Sequence, residues 1–202
     1  MATVGTKRTS TSGTSKGIAA TRSRTTSLKT NNSANTVLLN TTGNEVFTSI
    51  KTRGSSSGAT IRGWLYECYV DGDWYLPSNQ LQSTNTVAAP STEGEIELPF
   101  ASSYTPPAGI NICLVLENTH STIGFTVTTE APSIVGGTVR SLIDNDSLDN
   151  PWDVDNDQDK GVAPVIWSDY TISLASTASS PYGTTRSLTG SLTNSLTAGL
   201  TQ

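Results

Sequence analysis

The sequence is short of the side chains that do chemistry and of those that cross membranes. It has one histidine and two cysteines in 202 residues, and only 14% of it is charged. A Ser-His-Asp triad would have to be built on His120, in an Asn-Thr-His-Ser turn between two strand-like runs. Nothing local supplies the orienting carboxylate or the facing serine that such a triad needs, so an exposed turn residue is expected there. Cys68 and Cys113 are too few for a disulfide scaffold and sit in strand-like runs, where a small buried side chain is the default. No stretch approaches the 18 or so apolar residues of a membrane-spanning helix, and the N-terminus lacks the apolar core of a secretory leader. The expectation is a chain made and kept in the cytoplasm. The sequons at Asn31, Asn40 and Asn145 carry no weight without secretion. No glycine-rich loop leads from a strand into a helix, which leaves nucleotide binding without a motif. Two G-x-S-x-G matches, Gly13 to Gly17 and Gly54 to Gly58, lack the strand-to-helix turn on which a nucleophilic serine works.

Charge is unevenly placed. The first 44 residues carry six basic side chains (Lys7, Arg8, Lys16, Arg22, Arg24 and Lys29) and no acidic one. From Glu45 onward there are seventeen acidic residues and six basic ones. Nucleic-acid binding needs clustered Lys and Arg, so the acidic body argues against it. Between Met1 and Thr36, sixteen of thirty-six residues are Ser or Thr, and from Ser176 to Gln202 the count is thirteen of twenty-seven. These compositions predict a basic N-terminal arm over 1–36 and a C-terminal arm over 176–202. One domain is expected between them, over 37–175.

The middle reads as successive short strands. In the strongest, Ala59 to Val70, Trp64, Tyr66, Cys68 and Val70 share one face, and Leu65, Glu67 and Tyr69 share the other. Aromatic and β-branched enrichment at period two favours a sheet over a helix. Asp71-Gly72 supplies hairpin-turn chemistry, and Pro77 is expected to end the returning strand. Ile110, Ile112, Leu114 and Leu116 line one face of a later run, as in the core of a sandwich. No segment sustains a 3.6-residue period with caps. Eight or so strands at this spacing predict an all-β chain, a single antiparallel sandwich or jelly roll with extended arms.

Three features remain as candidate sites. Seven aspartates fall between Asp144 and Asp159, and Asp153, Asp155, Asp157 and Asp159 alternate like the first oxygen ligands of a Ca²⁺-binding loop. Gln158 stands where that loop needs glycine and Pro164 where it needs glutamate, so a solvated acidic loop competes with a Ca²⁺ site. Leu188, Leu192, Leu196 and Leu200 recur every fourth residue in a Ser-Leu-Thr repeat. An extended chain puts all four on one face, whereas a helix would turn them by about 40° per repeat. With the basic Lys7, Arg8, Arg22 and Arg24 of the other arm, they are the expected partner-binding residues. Trp64 and Trp167 fall in strand patterns and are expected in the core, while Trp74 and Trp152 are freer aromatic surface candidates. Glu93, Glu95 and Glu97 alternate, and a solvated acidic face is expected rather than a glycosidase pair.

The run Gly63-Trp64-Leu65-Tyr66, then Asp71 to Leu76, Leu98-Pro99-Phe100 and Pro107 to Leu114, resembles the small β-sandwich virion proteins of tailed bacteriophages. The likeness covers Val37 to Glu130 and carries no catalytic residue across. It implies a structural role without enzymatic activity, as a capsid cement (decoration) protein or a tail or neck component. The partners it implies are a major capsid protein or other virion proteins, with a homo-oligomer such as a trimer natural on a symmetric shell. The location it implies is a virion assembled in the host cytoplasm. A carbohydrate-binding module of a tail fibre or spike is the alternative, and a small icosahedral coat protein a third reading.

Overall fold

A computed structural model describes residues 1–5, 14–18, 24–29, 37–71, 74–130, 139–144, 158–159, 163–179 and 185–192, with side chains described over 1–5, 38–70, 75–128 and 165–173. Those residues contain sixteen strands and no helix. The strands are β1 (Ala2–Gly5), β2 (Thr14–Ile18), β3 (Arg24–Lys29), β4 (Val37–Leu38), β5 (Glu45–Ser55), β6 (Thr60–Asp71), β7 (Trp74–Ser83) and β8 (Val87–Ala88). After them come β9 (Gly94–Tyr104), β10 (Asn111–Asn118), β11 (Phe125–Glu130), β12 (Val139–Asp144), β13 (Gln158–Asp159), β14 (Ala163–Pro164), β15 (Ile166–Ser179) and β16 (Thr185–Leu192).

They form two sheets, and every described pairing is antiparallel. The first runs β1-β15-β5-β11-β14, with β16 also on β15, β2 on β11 and β9 on β5. The second runs β13-β12-β3-β10-β6-β7, with β4 on β10 and β8 on β6. The fold is an all-β antiparallel sandwich, as the strand spacing predicts.

The core lies between the sheets. Phe47, Ile50, Ile96, Leu98, Phe125, Val127 and Ile166 of the first meet Ile61, Leu65, Ile112, Leu114 and Leu116 of the second. The alternation read in β10 holds: Ile112, Leu114 and Leu116 are fully buried, and Ile110 packs against them from the preceding turn. Gly63 lies close against the facing sheet: a Cβ there would sit 3.0 Å from both Cβ and Cδ1 of Ile50. The outward face of β6 is not bare. Tyr66, Cys68, Cys113, Val115 and Leu76 form a second apolar cluster there, with Trp64 and Tyr75 packed on its margin. Both cysteines are buried, and neither is in a disulfide.

Two expectations need correction. Pro77 does not end the returning strand: β7 continues to Ser83, with Pro77 opposite Cys68 and the register shifting beside it. It is tolerated because β7 is the last strand of its sheet on that side among the described residues, and a proline is at home on an edge strand. The boundaries at 36/37 and 175/176 do not separate sandwich from arms. β1, β2 and β3 from the N-terminal segment, and β16 from the C-terminal one, are laddered into the two sheets. Thr and Ser supply few core atoms, but threonine suits a pleated, half-buried strand well.

Candidate attachment site

β15 is where the two ends of the chain meet. Along one side it pairs with β5, Tyr170 standing opposite Phe47 and Ile172 opposite Glu45. Along its other side run two strands end to end. β16 covers Ile172 to Ser179, with Leu192 opposite Ile172, and β1 covers Trp167 to Tyr170, with Ala2 opposite Tyr170. Val4 of β1 is buried and belongs to the core. Thr3 faces the other way and donates from Oγ1 to Asp169 Oδ1 at 2.6 Å. Gly5 takes φ +95°, and a Cβ there would lie 2.3 Å from the Ile166 carbonyl oxygen, so glycine lets the chain leave the ladder.

Beside β1, on the outward face, is a cavity of about 170 Å³. Met1, Ser49, Lys51, Glu97, Asp169 and Thr171 are among its lining residues. Lys51 Nζ stands 3.7 Å from Asp169 Oδ2 and 3.9 Å from Glu95 Oε1, and Ser49 Oγ donates to Glu97 Oε1 at 2.7 Å. Pairs this exposed contribute at most about 1 kcal/mol each. Glu93 accepts from Arg53 Nε at 2.8 Å and from Thr128 Oγ1 at 3.1 Å. The three alternating glutamates therefore each have a partner and tie the β9 edge to its neighbours.

A second polar constellation lies on the outward face of the other sheet. Glu117 of β10 is fully buried. Its Oε2 accepts from Arg62 Nε and Nη2, both at 2.9 Å, and from Trp64 Nε1 at 2.7 Å. The guanidinium lies 4.7 Å from the centroid of the Trp64 ring. Glu117 Oε1 has no hydrogen-bond partner among the described residues. The backbone register sets Glu117 between two arginines, Arg62 on β6 and Arg24 on β3. A carboxylate this deep, paired with Arg62 across the β6–β10 ladder, acts as a latch between those strands.

The predicted site residues distribute as follows. Leu188 and Leu192 lie in β16, opposite Ser176 and Ile172, in the extended conformation that their spacing predicts. Leu196 and Leu200 lie outside the described residues, as do Lys7, Arg8, Arg22, Trp152, Asp153, Asp155 and Asp157. Arg24 opens β3, and Asp159 ends β13 opposite Leu142. Trp74 opens β7 opposite Asp71, across a two-residue connection. Trp167 is fully buried, and its Nε1 has no partner among the described residues; Trp64 is half-buried. His120 turns its ring inward on its own loop, where Nδ1 accepts from the amides of Thr122 at 3.1 Å and Ile123 at 3.0 Å. The Arg62–Glu117–Trp64 group was missed in the sequence. Its one signal is that Arg62 and Trp64 stand two apart in a strand, a spacing that puts both on one face.

No protein-family model matches the chain, and no curated protein matches it. Among solved structures it is similar to the cysteine protease and lectin-like domains of Cwp84, a surface layer associated protein of Clostridium difficile. The identity is 15% and the TM-score 0.44, covering 71% of this chain and 31% of that one. A likeness this distant carries no functional assignment.

Proposed function

We propose that the protein is a non-enzymatic structural module of a virion, a capsid cement protein that attaches to an outer shell through its sandwich and its terminal segments. The observation that carries this reading is the edge of β15, where strands from both ends of the chain are held by main-chain pairing. Strand addition of this kind gives affinity through backbone hydrogen bonds and specificity through alternate side chains. The fold class agrees with the resemblance drawn from Val37 to Glu130, and the acidic body suits an exterior that never meets packaged DNA.

The test is the number of copies per particle, measured by quantitative mass spectrometry on purified virions from the source that encodes the chain. A cement protein follows shell symmetry and is present in hundreds of copies, whereas a fibre or neck component is present in on the order of ten. Absence from particles overturns the virion reading, and a handful of copies overturns the cement reading. Purified chain added to particles stripped of it should pellet with them to saturation.

A further inference from the structure

The ladders on both sides of β5 break at the same place. Against β15, β5 takes four steps from Phe47 to Lys51 where β15 takes three from Tyr170 back to Trp167. Against β9 the register shifts again between Phe47 and Ser49, where β9 runs from Tyr104 to Pro99. An extra residue in a strand bends it and re-aims the side chains beside it. Thr48 and Ser49 stand at that point, and both line the outward cavity of about 170 Å³. Ser168, fully buried, donates from Oγ to the Ser49 carbonyl at 2.5 Å and holds the bulge in place. All of the lining but Met1 stands on β5, β9 and β15, so the recess is set into the sheet rather than into a loop.

The chemistry of the lining selects among ligands. Lys51 already gives its ammonium to Asp169 Oδ2 and Glu95 Oε1, at 3.7 and 3.9 Å. Asp169 Oδ1 accepts from Thr3 at 2.6 Å, and Glu97 Oε1 accepts from Ser49 at 2.7 Å. Three carboxylates around one ammonium repel an anion. An organic cation or a metal ion would meet the Lys51 charge, and no group of three metal-ligating side chains is gathered among the described residues. Neutral hydrogen bonding is what stays open. Glu97 Oε2 and the hydroxyls of Thr48 and Thr171 have no partner among the described residues. Val46 and Met1 add apolar surface to the lining. A few placed acceptors and hydroxyls beside a patch of hydrocarbon suit a saccharide ring, which alternates hydroxyls with C–H faces. A cavity of about 150 Å³ holds a benzene ring, so this one has room for a single pyranose with its substituents in the open mouth.

We propose that this recess on the outward face of the first sheet is a binding site for one neutral hexopyranose unit, built on the bulge at Thr48-Ser49. Glu97 Oε2 accepts from a ring hydroxyl, Thr48 and Thr171 exchange hydrogen bonds with its neighbours, and Val46 lies against a C–H face. Glu95, Glu97 and Asp169 outnumber Lys51 and turn away anionic sugars. A single ring held by so few groups binds on the order of millimolar. The site becomes tight only where several copies of the chain meet one glycan-bearing surface. The recess belongs to the isolated chain, so glycan recognition stands or falls apart from the virion role.

Nuclear magnetic resonance titration of the isotope-labelled full-length chain tests it, with the methyl glycosides of glucose, galactose, mannose and N-acetylglucosamine as probes. At least one should shift the Thr48, Ser49 and Thr171 amides saturably and leave those of Tyr69 and Val70 in place. Thr48→Val, at an exposed position, removes one hydroxyl and should weaken that binding about threefold. Glu97→Gln keeps the shape and an acceptor for Ser49, and should weaken it by at least about fivefold. Glycerol at the same hydroxyl concentration, sodium phosphate and methylammonium chloride should leave the three amides in place. No saturable shift there from any of the glycosides overturns the proposal, as does binding that both variants leave unchanged. Equal shifts from glycerol or from either salt overturn it too, since the recess would then hold any small polyol or ion.

Discussion

Replacing Arg62 with methionine probes whether the ion pair on the outward face of the second sheet behaves as a buried one. Arg62 reaches Glu117 Oε2 through Nε and Nη2, and Trp64 Nε1 shares that oxygen. The Glu117 side chain is 1% exposed, so water cannot replace a lost guanidinium, while Arg62 itself is 26% exposed. Methionine keeps much of the apolar stem over Trp64 and removes the charge. Breaking a buried pair by taking one partner costs about 3–5 kcal/mol, because the remaining charge stays desolvated. The partial exposure of Arg62 puts the expectation at the lower end, about 3 kcal/mol.

In urea, a slope of about 2 kcal/mol/M turns that into a midpoint lower by about 1.5 M. The second arm is Arg62→Met with Glu117→Leu. Replacing a whole buried pair by apolar residues is often close to neutral, so the double variant should recover most of the loss. The double-mutant cycle then reads a coupling of more than about 1.5 kcal/mol. A single variant within about 1 kcal/mol of wild type, which is the behaviour of a surface pair, would refute the latch. So would a double variant whose loss is the sum of the two singles.

Gly63→Ala drives a methyl into Ile50 and should cost about 1–3 kcal/mol by overpacking; calorimetry should show part of that returning in Gly63→Ala/Ile50→Val, where Cδ1 is gone. Burial pushes the Glu45 carboxyl up, but hydrogen bonds from the Thr42 amide and hydroxyl, and from the Glu45 and Asn44 amides, outweigh it and hold the group below its ordinary value. A depressed carboxyl contributes stability that is present above its unfolded value and lost as pH falls through the folded one. Unfolding free energy measured below about pH 4.5 should therefore fall less steeply in Glu45→Gln than in wild type, and equal slopes would remove Glu45 from the acid limb. Burial, and after it the Glu45 charge, raise the Tyr170 phenol above 10, so ultraviolet titration should show fewer late-ionising tyrosines in Tyr170→Phe.

The centre of the sandwich was legible because its signals are local. Ile112, Leu114 and Leu116 alternate in one strand, and the pleat alone sends them to one face. The hairpin expected at Asp71-Gly72 is there, but Asp71 pairs with Trp74, one residue later than a turn on Asp71-Gly72 would set it. Pro77 misled because its meaning depends on where its strand lies in the sheet, and strand order is not written in the strand. The Arg62–Glu117 latch joins residues 55 apart in sequence, and only the β6–β10 register makes them neighbours. A lone arginine and a lone glutamate in two strands look like two solvated charges until that register is known.

The terminal segments were the harder case, and the reason is energetic rather than statistical. A low apolar count marks a segment that cannot build a core by itself. It does not mark one that cannot complete a core built by others. β1 contributes one fully committed side chain, Val4, and otherwise a ladder of backbone bonds and the Thr3 hydroxyl. A strand added to an existing edge fixes few residues for each bond gained and buries only alternate side chains, so four residues with one apolar member suffice.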